Sequence, residues 1–299
     1  MNNPKPPLNA VLSAVLAFGL WGVLPIYWKQ LGHLGSDVGL AQRVVWTMAA
    51  VLPLLVLRGE FGSFLKSLRD MTVLKAHAWS AFLLAINWGV FVWAAQHGRI
   101  LDCSLGYFIN PLLNVLIGSR LLGERLSRLQ KLSIACAACG VATQLVLVGR
   151  FPWIGLLLAV SFALYGLARR RSPLGSLPGL GVETVVGIPI AALYLIWCQQ
   201  SGIAIWGDSS LRDLLLITGL GIITTIPLLG FAHGARQLPF ALLGVLQFLA
   251  PTGQFLVGAF VYHETITTGS LVSFGLIWTG VALFCGNLYL HGRRTSIAP

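Results

Sequence analysis

The sequence predicts an all-α integral membrane protein with ten transmembrane helices, arranged as two inverted five-helix repeats. Hydrophobic residues make up 56% of the 299 residues and charged residues only 10%, whereas a soluble domain averages roughly 25% charged residues. Apolar runs of about twenty residues recur along the chain, which is the length that an α-helix needs to cross a bilayer. The second half of the chain also repeats the pattern of the first half.

The apolar runs define the predicted spans. The connections are short except for 58–75 and 199–211, which leaves no room for a soluble domain. No signal-peptide cleavage site follows the first run, so we expect it to stay in the mature protein as a helix. The ten spans lie near 10–31, 38–57, 76–96, 102–122, 129–149, 152–169, 178–198, 212–233, 238–262 and 267–290.

The fourth span contains the strongest local signal. Pro111 lies near its middle and cannot donate a backbone hydrogen bond to the carbonyl of Tyr107, which predicts a helix kink. In hydrocarbon, such an open carbonyl is tolerated only where other groups or a water-filled cavity satisfy it. The span therefore resembles the wall of a permeation site, with polar and small residues at helical spacing on one face: Tyr107, Asn110, Asn114 and Gly118.

The ninth span repeats the fourth at an offset of 140 residues. Pro251 matches Pro111, and Gln247 and Gln254 stand where Tyr107 and Asn114 stand. The first halves of the repeats match at an offset of 144. We therefore divide the chain into a first repeat, 1–150, and a second repeat, 151–299. Because each repeat has an odd number of spans, the second is inverted relative to the first, a design common in secondary transporters.

Basic residues set the predicted orientation. The N-terminus, the loops after the even-numbered spans and the C-terminus hold fifteen Lys and Arg residues, against four on the opposite side. The positive-inside rule therefore places both termini in the cytoplasm. The net charge of +11 is explained by this pattern, so we predict no nucleic-acid partner.

Two charged residues fall inside predicted spans, at repeat-related positions. Arg43 lies in the second span and Glu183 in the seventh, again 140 residues apart. A charge inside a membrane needs a partner or water. One interpretation is a gating ion pair or a proton-coupling site; the other is that both side chains lie near helix ends and reach the interface.

Aromatic and amide side chains deep in the spans form the predicted substrate pocket. Core packing explains any one of them equally well, but together they suit a flat or zwitterionic metabolite. Glu124 ends the fourth span, where an acid is unfavourable with the helix dipole. We expect a partner for it among Arg120, Arg125 and Arg128. The predicted substrate-binding residues are Trp21, Asn87, Trp88, Tyr107, Asn110, Asn114, Tyr165, Gln247 and Gln254.

Several functional classes are disfavoured by what the sequence contains. The histidines show no metal-type pairing, Cys136 and Cys139 lie in an apolar run, and no phosphate-binding loop follows a strand. We therefore predict no metal, no cofactor and no ATP-driven step. An enzyme would need convergent titratable groups, and the spans offer only Arg43 and Glu183. A non-transporting scaffold or sensor remains an alternative, as does an importer.

The residues resemble a known family. The P-x12-E pattern of the fourth and ninth spans and F-x-x-x-G in the first and sixth are similar to EamA-type transporters of the drug/metabolite transporter superfamily. INWGVFVWA (86–94), SLGYFINPLLNVLIG (104–118) and SFALYGLARR (161–170) resemble the RarD subgroup. The resemblance implies a bacterial inner-membrane permease with a central cavity, more often an exporter of metabolites. It leaves the substrate, the coupling ion and the oligomeric state open.

Overall fold

The computed structural model describes residues 6–96, 100–148, 153–262 and 268–296, and this part of the chain is helical. Each apolar run forms a helix because, without water, only internal hydrogen bonds can satisfy the backbone. The elements are α1 (Leu8–Gln30), α2 (Ser36–Leu57), α3 (Phe61–Arg69), α4 (Met71–Gln96), α5 (Ile100–Leu121), α6 (Arg128–Val148), α7 (Trp153–Arg171), α8 (Ser176–Gln200), α9 (Leu211–Gln237), α10 (Phe240–Gln247), α11 (Leu249–Leu256), a π-helical segment (Val257–Val261) and α12 (Thr268–Ser296).

Six helical stretches in the described part of the chain are long and apolar enough to cross a membrane. This finding confirms an all-helical, multi-pass membrane protein. The other long helices, α4, α5, α6 and α12, coincide with the remaining predicted spans. The six stretches are Leu8–Gln30, Ser36–Leu57, Trp153–Arg171, Ser176–Gln200, Leu211–Gln237 and Phe240–Val261.

The connection predicted over 58–75 contains a short helix, α3, that the sequence analysis missed. Its nine residues bury Phe64 and carry Lys66 and Arg69 in the last turn. Asp70 then begins α4, because its carboxylate accepts hydrogen bonds from the amides of Thr72 and Val73 at 2.9 and 3.2 Å. Such a side-chain acceptor satisfies amides that a helix start leaves free.

The two repeat-related prolines have different effects. α5 continues through Pro111 as one helix. The ninth predicted span, in contrast, is interrupted at Phe248, between α10 and α11. Pro251 has no N–H for the carbonyl of Gln247, four residues earlier, and its ring crowds that carbonyl. α10 accordingly ends at Gln247.

Small residues allow several helices to pack closely. A Cβ added at Gly22 of α1 would lie 3.0 Å from the Cα of Gly253 in α11, so the two backbones touch. In the α6–α12 pair, a Cβ at Gly140 would lie 2.8 Å from the carbonyl oxygen of Ser273, and one at Gly280 would lie 2.5 Å from that of Ser133. Membrane helices commonly associate through such positions.

Candidate transport site

The polar face predicted on α5 is buried between helices. The Asn110 amide donates to the carbonyl of Ala159 in α7 at 2.8 Å. The Asn114 amide donates to Gln247 Oε1 in α10 at 2.6 Å. Both asparagines are only 1% exposed. In this conformation the face therefore joins α5 to α7 and α10 rather than facing an open passage.

The space beside Pro111 is small and mostly apolar. A cavity of about 10 Å³ adjoins Pro111, Val115 and Phe284, which is about the smallest volume that holds one water molecule. A wider surface depression of about 550 Å³ lies at the end of α5, next to Arg120, Arg125 and Lys131. Neither of these two spaces is lined by the predicted substrate-binding residues.

Trp21 and Tyr165 belong to a compact aromatic cluster between α1, α7 and α9. Tyr165 stacks on Phe231 with ring centres 5.8 Å apart, and Trp21 lies 5.5 Å from Phe162 at a steep angle. Offset and edge-on pairs of this kind stabilise a core beyond the area they bury. Phe18 completes the cluster, 6.1 Å from Phe231.

The remaining predicted pocket residues contact neighbouring helices. Gln254 donates to the carbonyl of Trp21 at 3.3 Å. The Asn87 amide donates to the carbonyl of Leu158 at 2.8 Å, which links α4 to α7. The ring of Tyr107 lies 6.0 Å from that of Phe91. The structure thus places the predicted residues in separate contacts at helix interfaces, not in one open pocket.

Arg43 lies inside the bundle, only 7% exposed. Its Nε donates to Thr224 Oγ1 in α9 at 2.8 Å. Its guanidinium carbon lies 3.7 Å from the ring centre of Trp88 in α4. Both partners are uncharged, so the cation is held by one hydroxyl and one aromatic face.

Glu183 lies in a dense polar cluster formed by α4, α7 and α8. Its Oε1 accepts from Ser80 Oγ at 2.5 Å and from Arg169 Nη1 at 3.3 Å. Its Oε2 accepts from the Tyr165 hydroxyl at 3.3 Å. His77 Nδ1 is 3.4 Å from Oε1 but makes no hydrogen bond. Because Arg169 is fully buried beside it, the carboxylate is neutralised inside the protein.

Arg43 and Glu183 therefore do not pair with each other in this conformation. Glu183 forms its ion pair with Arg169, and Arg43 forms none with any described carboxylate. The alternative in which both side chains reach the interface does not hold here either, because both are buried. Their roles in gating or coupling stay predictions.

The prediction that Glu124 pairs with a nearby arginine is wrong. Its two carboxylate oxygens accept from the backbone amides of Phe240 and Ala241, at 2.6 and 2.9 Å. These amides begin α10, where the helix dipole favours a negative charge. The end of α5 is thereby fixed to the start of α10. Glu264, the repeat counterpart of Glu124, lies outside the described residues.

A carboxylate–imidazole group joins the turn after α1 to the start of α9. His33 Nε2 lies 2.9 Å from Asp213 Oδ2, and the amide of Asp208 donates to the same oxygen at 2.9 Å. His33, Asp208 and Asp213 have potential metal-ligand atoms within 4.8 Å of one another. The sequence analysis missed this grouping because the histidine and the acids are far apart in the chain.

Comparison with known proteins decides the family. No protein-family model matches the chain, but curated relatives match most of it. Uncharacterized transporter YojE of Bacillus subtilis is 39% identical over 279 residues, covering 92% of this chain and 93% of that protein. Protein RarD of Escherichia coli K12 is 37% identical over 293 residues, covering 98% and 99%. The chain belongs to the RarD family.

Membership of the RarD family makes the chain a membrane transporter rather than an enzyme, because the relatives are named as transporters. One RarD relative, from Pseudomonas aeruginosa, is named a chloramphenicol-sensitive protein and is 31% identical over 92% of this chain and 93% of its own. A solved crystal structure shares the fold, with a TM-score of 0.71 and 22% identity over 92% of this chain and 96% of that chain.

The sequence analysis of this RarD-family chain missed the groups that contact its buried charges. Arg169 was counted only as one of the basic residues that set orientation, although it lies four residues after Tyr165 and so on the same helical face. Ser80, His77 and Thr224 come from helices distant in sequence from Glu183 and Arg43. No local pattern links them, so only the packing of the helices brings them together.

Proposed function

We propose that this RarD-family protein is a secondary carrier that moves a small molecule across the bacterial inner membrane by alternating access. It has ten spans in two inverted units, 1–150 and 151–299, and both termini are cytoplasmic. Export is the favoured direction. Alternating access in such folds consists of one unit rocking against the other around a site near the midplane.

The observation that carries the proposal is the paired pattern of helix contacts between the two units. An axis that exchanges the units also exchanges α1 with α7, α2 with α8, and α4 with α9. α1 packs on α9, and its counterpart α7 packs on α4. α2 packs on α9, and α8 packs on α4. Each of these four contacts thus has a twin, which is the pattern expected of inverted repeats.

The packing of α6 against α12 supports the same symmetry axis between the two units, because matching residues make the contact. Gly140 packs against the backbone of Ser273, and Gly280 packs against that of Ser133. Gly140 and Gly280, like Ser133 and Ser273, are 140 residues apart. The two halves of this interface are therefore built from matching positions.

The proposed transport path follows the interface between the units. Trp21, Asn87, Trp88, Tyr107, Asn110, Asn114, Tyr165, Gln247 and Gln254 line it when the units separate, and Pro111 and Pro251 provide the bends. Asn114 of the first unit already contacts Gln247 of the second. Arg43 and Glu183 act in gating or coupling. The proposed cargo is a flat or zwitterionic metabolite.

A ligand screen followed by a transport assay tests the proposal. We expect a small metabolite or drug-like molecule to stabilise the purified protein, since a ligand at 100 times its Kd adds roughly 2.7 kcal/mol. Asn110→Ala and Asn114→Ala should abolish that stabilisation. Ser119→Ala on the same helix is the control, because that exposed hydroxyl donates to the carbonyl of Leu116 in its own helix.

Transport of the same ligand in proteoliposomes then separates the alternatives. Counterflow of labelled ligand supports a carrier, and its loss in Asn114→Ala places the path at the interface between the units. Net movement in inside-out and right-side-out vesicles distinguishes an exporter from an importer. Binding without any counterflow would favour a sensor or scaffold and would reject the carrier mechanism.

A further inference from the structure

Arg43 is a buried cation whose charge the described part of the chain does not balance. It lies seven residues from Ser36, where α2 begins, so it is about 10 Å from that helix end. It donates to the Thr224 hydroxyl and lies on the Trp88 ring, and Tyr107 also interacts with it electrostatically. No carboxylate among the described side chains forms an ion pair with it.

An unbalanced buried arginine is costly to keep. The guanidinium keeps its charge in proteins, and buried charges are normally paired because removing them from water is unfavourable. Glu183, at the repeat-related position, follows this rule through its ion pair with Arg169. Among the described residues, Arg43 departs from the rule, which leaves its charge available to an anion from outside the protein.

The contacts of Arg43 with Thr224 and Trp88 leave the terminal nitrogens of its guanidinium group available to bind an anion. Nε is occupied by Thr224, and the Trp88 ring covers one face of the group. Among the described hydrogen bonds, the guanidinium makes only the one to Thr224, so Nη1 and Nη2 are left for another acceptor. Two parallel N–H donors in a rigid fork match the oxygens of a carboxylate or a phosphate.

We propose that Arg43 is an anion-binding anchor in the transport path and binds the carboxylate or phosphate group of the cargo. Thr224 and Trp88 are positioning residues that hold the guanidinium in place. Arg43 and Trp88 come from the first unit and Thr224 from the second, so an anion bound there contacts the interface that alternating access must rearrange. This inference rests on the proposed carrier function and narrows its substrate class to anionic or zwitterionic molecules.

Thermal unfolding of the full-length purified protein with matched probes tests the anchor. The probes are benzoate, phenyl phosphate and the uncharged benzamide. We expect at least one anion to raise the Tm by about 5 °C at saturating concentration, with no shift from benzamide. The anion that acts distinguishes a carboxylate cargo from a phosphate cargo.

Two substitutions at Arg43 and one control locate the effect. Arg43→Met keeps the aliphatic stem and should abolish the anion response without lowering the Tm of the ligand-free protein. Arg43→Lys should retain part of the response, because the charge remains but the planar fork is lost. Arg58→Met, at an exposed arginine just after α2, should respond like the wild type.

Three results would overturn the anchor. These are an equal response to benzoate and benzamide, no response to either anion, or an unchanged anion response in Arg43→Met. A large fall in the ligand-free Tm of Arg43→Met would also count against it, because it would indicate a structural role. Counterflow that persists in Arg43→Met together with any of these results would leave the carrier function intact and reject only the anion site.

Discussion

Arg43 and Glu183 occupy corresponding positions in the two halves of the chain, yet their surroundings differ sharply. Glu183 accepts hydrogen bonds from Ser80, Tyr165 and Arg169, and its charge is balanced inside the protein. Arg43 bonds one hydroxyl and lies on one aromatic ring, and no described carboxylate pairs with it. A repeated sequence can thus keep a buried charge at the same place in each half while the groups around it change. The charge of Glu183 links helices, and in the proposed carrier the charge of Arg43 is the one available to a ligand.

The largest expected effect comes from removing the cation that balances Glu183. Arg169→Met leaves a buried carboxylate without its ion-pair partner, which typically costs about 3–5 kcal/mol. We expect the Tm of the purified protein to fall by roughly 6 °C or more. The double variant Arg169→Met/Glu183→Gln should recover part of the loss, since it removes both charges. A single variant as stable as the wild type would contradict the structural role of the pair.

A matched pair of hydroxyl deletions sharpens the comparison. Ser80→Ala removes a hydrogen bond to the buried Glu183 carboxylate and should cost about 1.5–3 kcal/mol. Thr224→Val removes the hydrogen bond to Arg43, but in the proposed anion site water or a bound anion can accept from that donor instead, so we expect a loss below about 1 kcal/mol. Chemical or thermal unfolding of both variants measures the difference. Equal losses would show that the two charges depend equally on their protein partners.

The smallest effect within the Glu183 cluster is expected at Tyr165. Tyr165→Phe deletes a hydroxyl that bonds Glu183 at 3.3 Å but keeps the ring stacked on Phe231. Since Ser80 and Arg169 still bond the carboxylate, we expect a loss of about 0.5–1.5 kcal/mol. Tyr165→Leu is the contrast, because it also removes the aromatic stack. If both variants lost the same stability, the stack would contribute nothing.

Much of the fold could be predicted from the sequence because the bilayer imposes simple rules of length and hydropathy. The ends of α1, α2 and α7 lie within two residues of the predicted span ends. The break at Phe248 could not be placed, because a proline predicts lost hydrogen bonds but not how neighbouring helices respond. α3 was missed because its amphipathic sequence is too short and too polar to read as a span.

The candidate site was less predictable, for a different physical reason. Periodicity placed Asn110 and Asn114 on one face, and both do lie together, but it gave no information on whether that face meets water or protein. Arg169, Ser80 and Thr224 could not be assigned to the buried charges because their contacts cross between helices that are far apart in sequence. Local patterns specify faces, whereas partners depend on the three-dimensional packing.

The contact of Glu124 with α10 has a consequence for how this family can change over evolution. The carboxylate contacts the backbone amides of residues 240 and 241, and not their side chains. Substitutions at either position can therefore accumulate without breaking the contact, except proline, which lacks the amide hydrogen. In the described part of the chain, Glu124 bonds no side chain with which it could covary. Methods that infer contacts from paired substitutions would overlook this connection between the two halves of the chain.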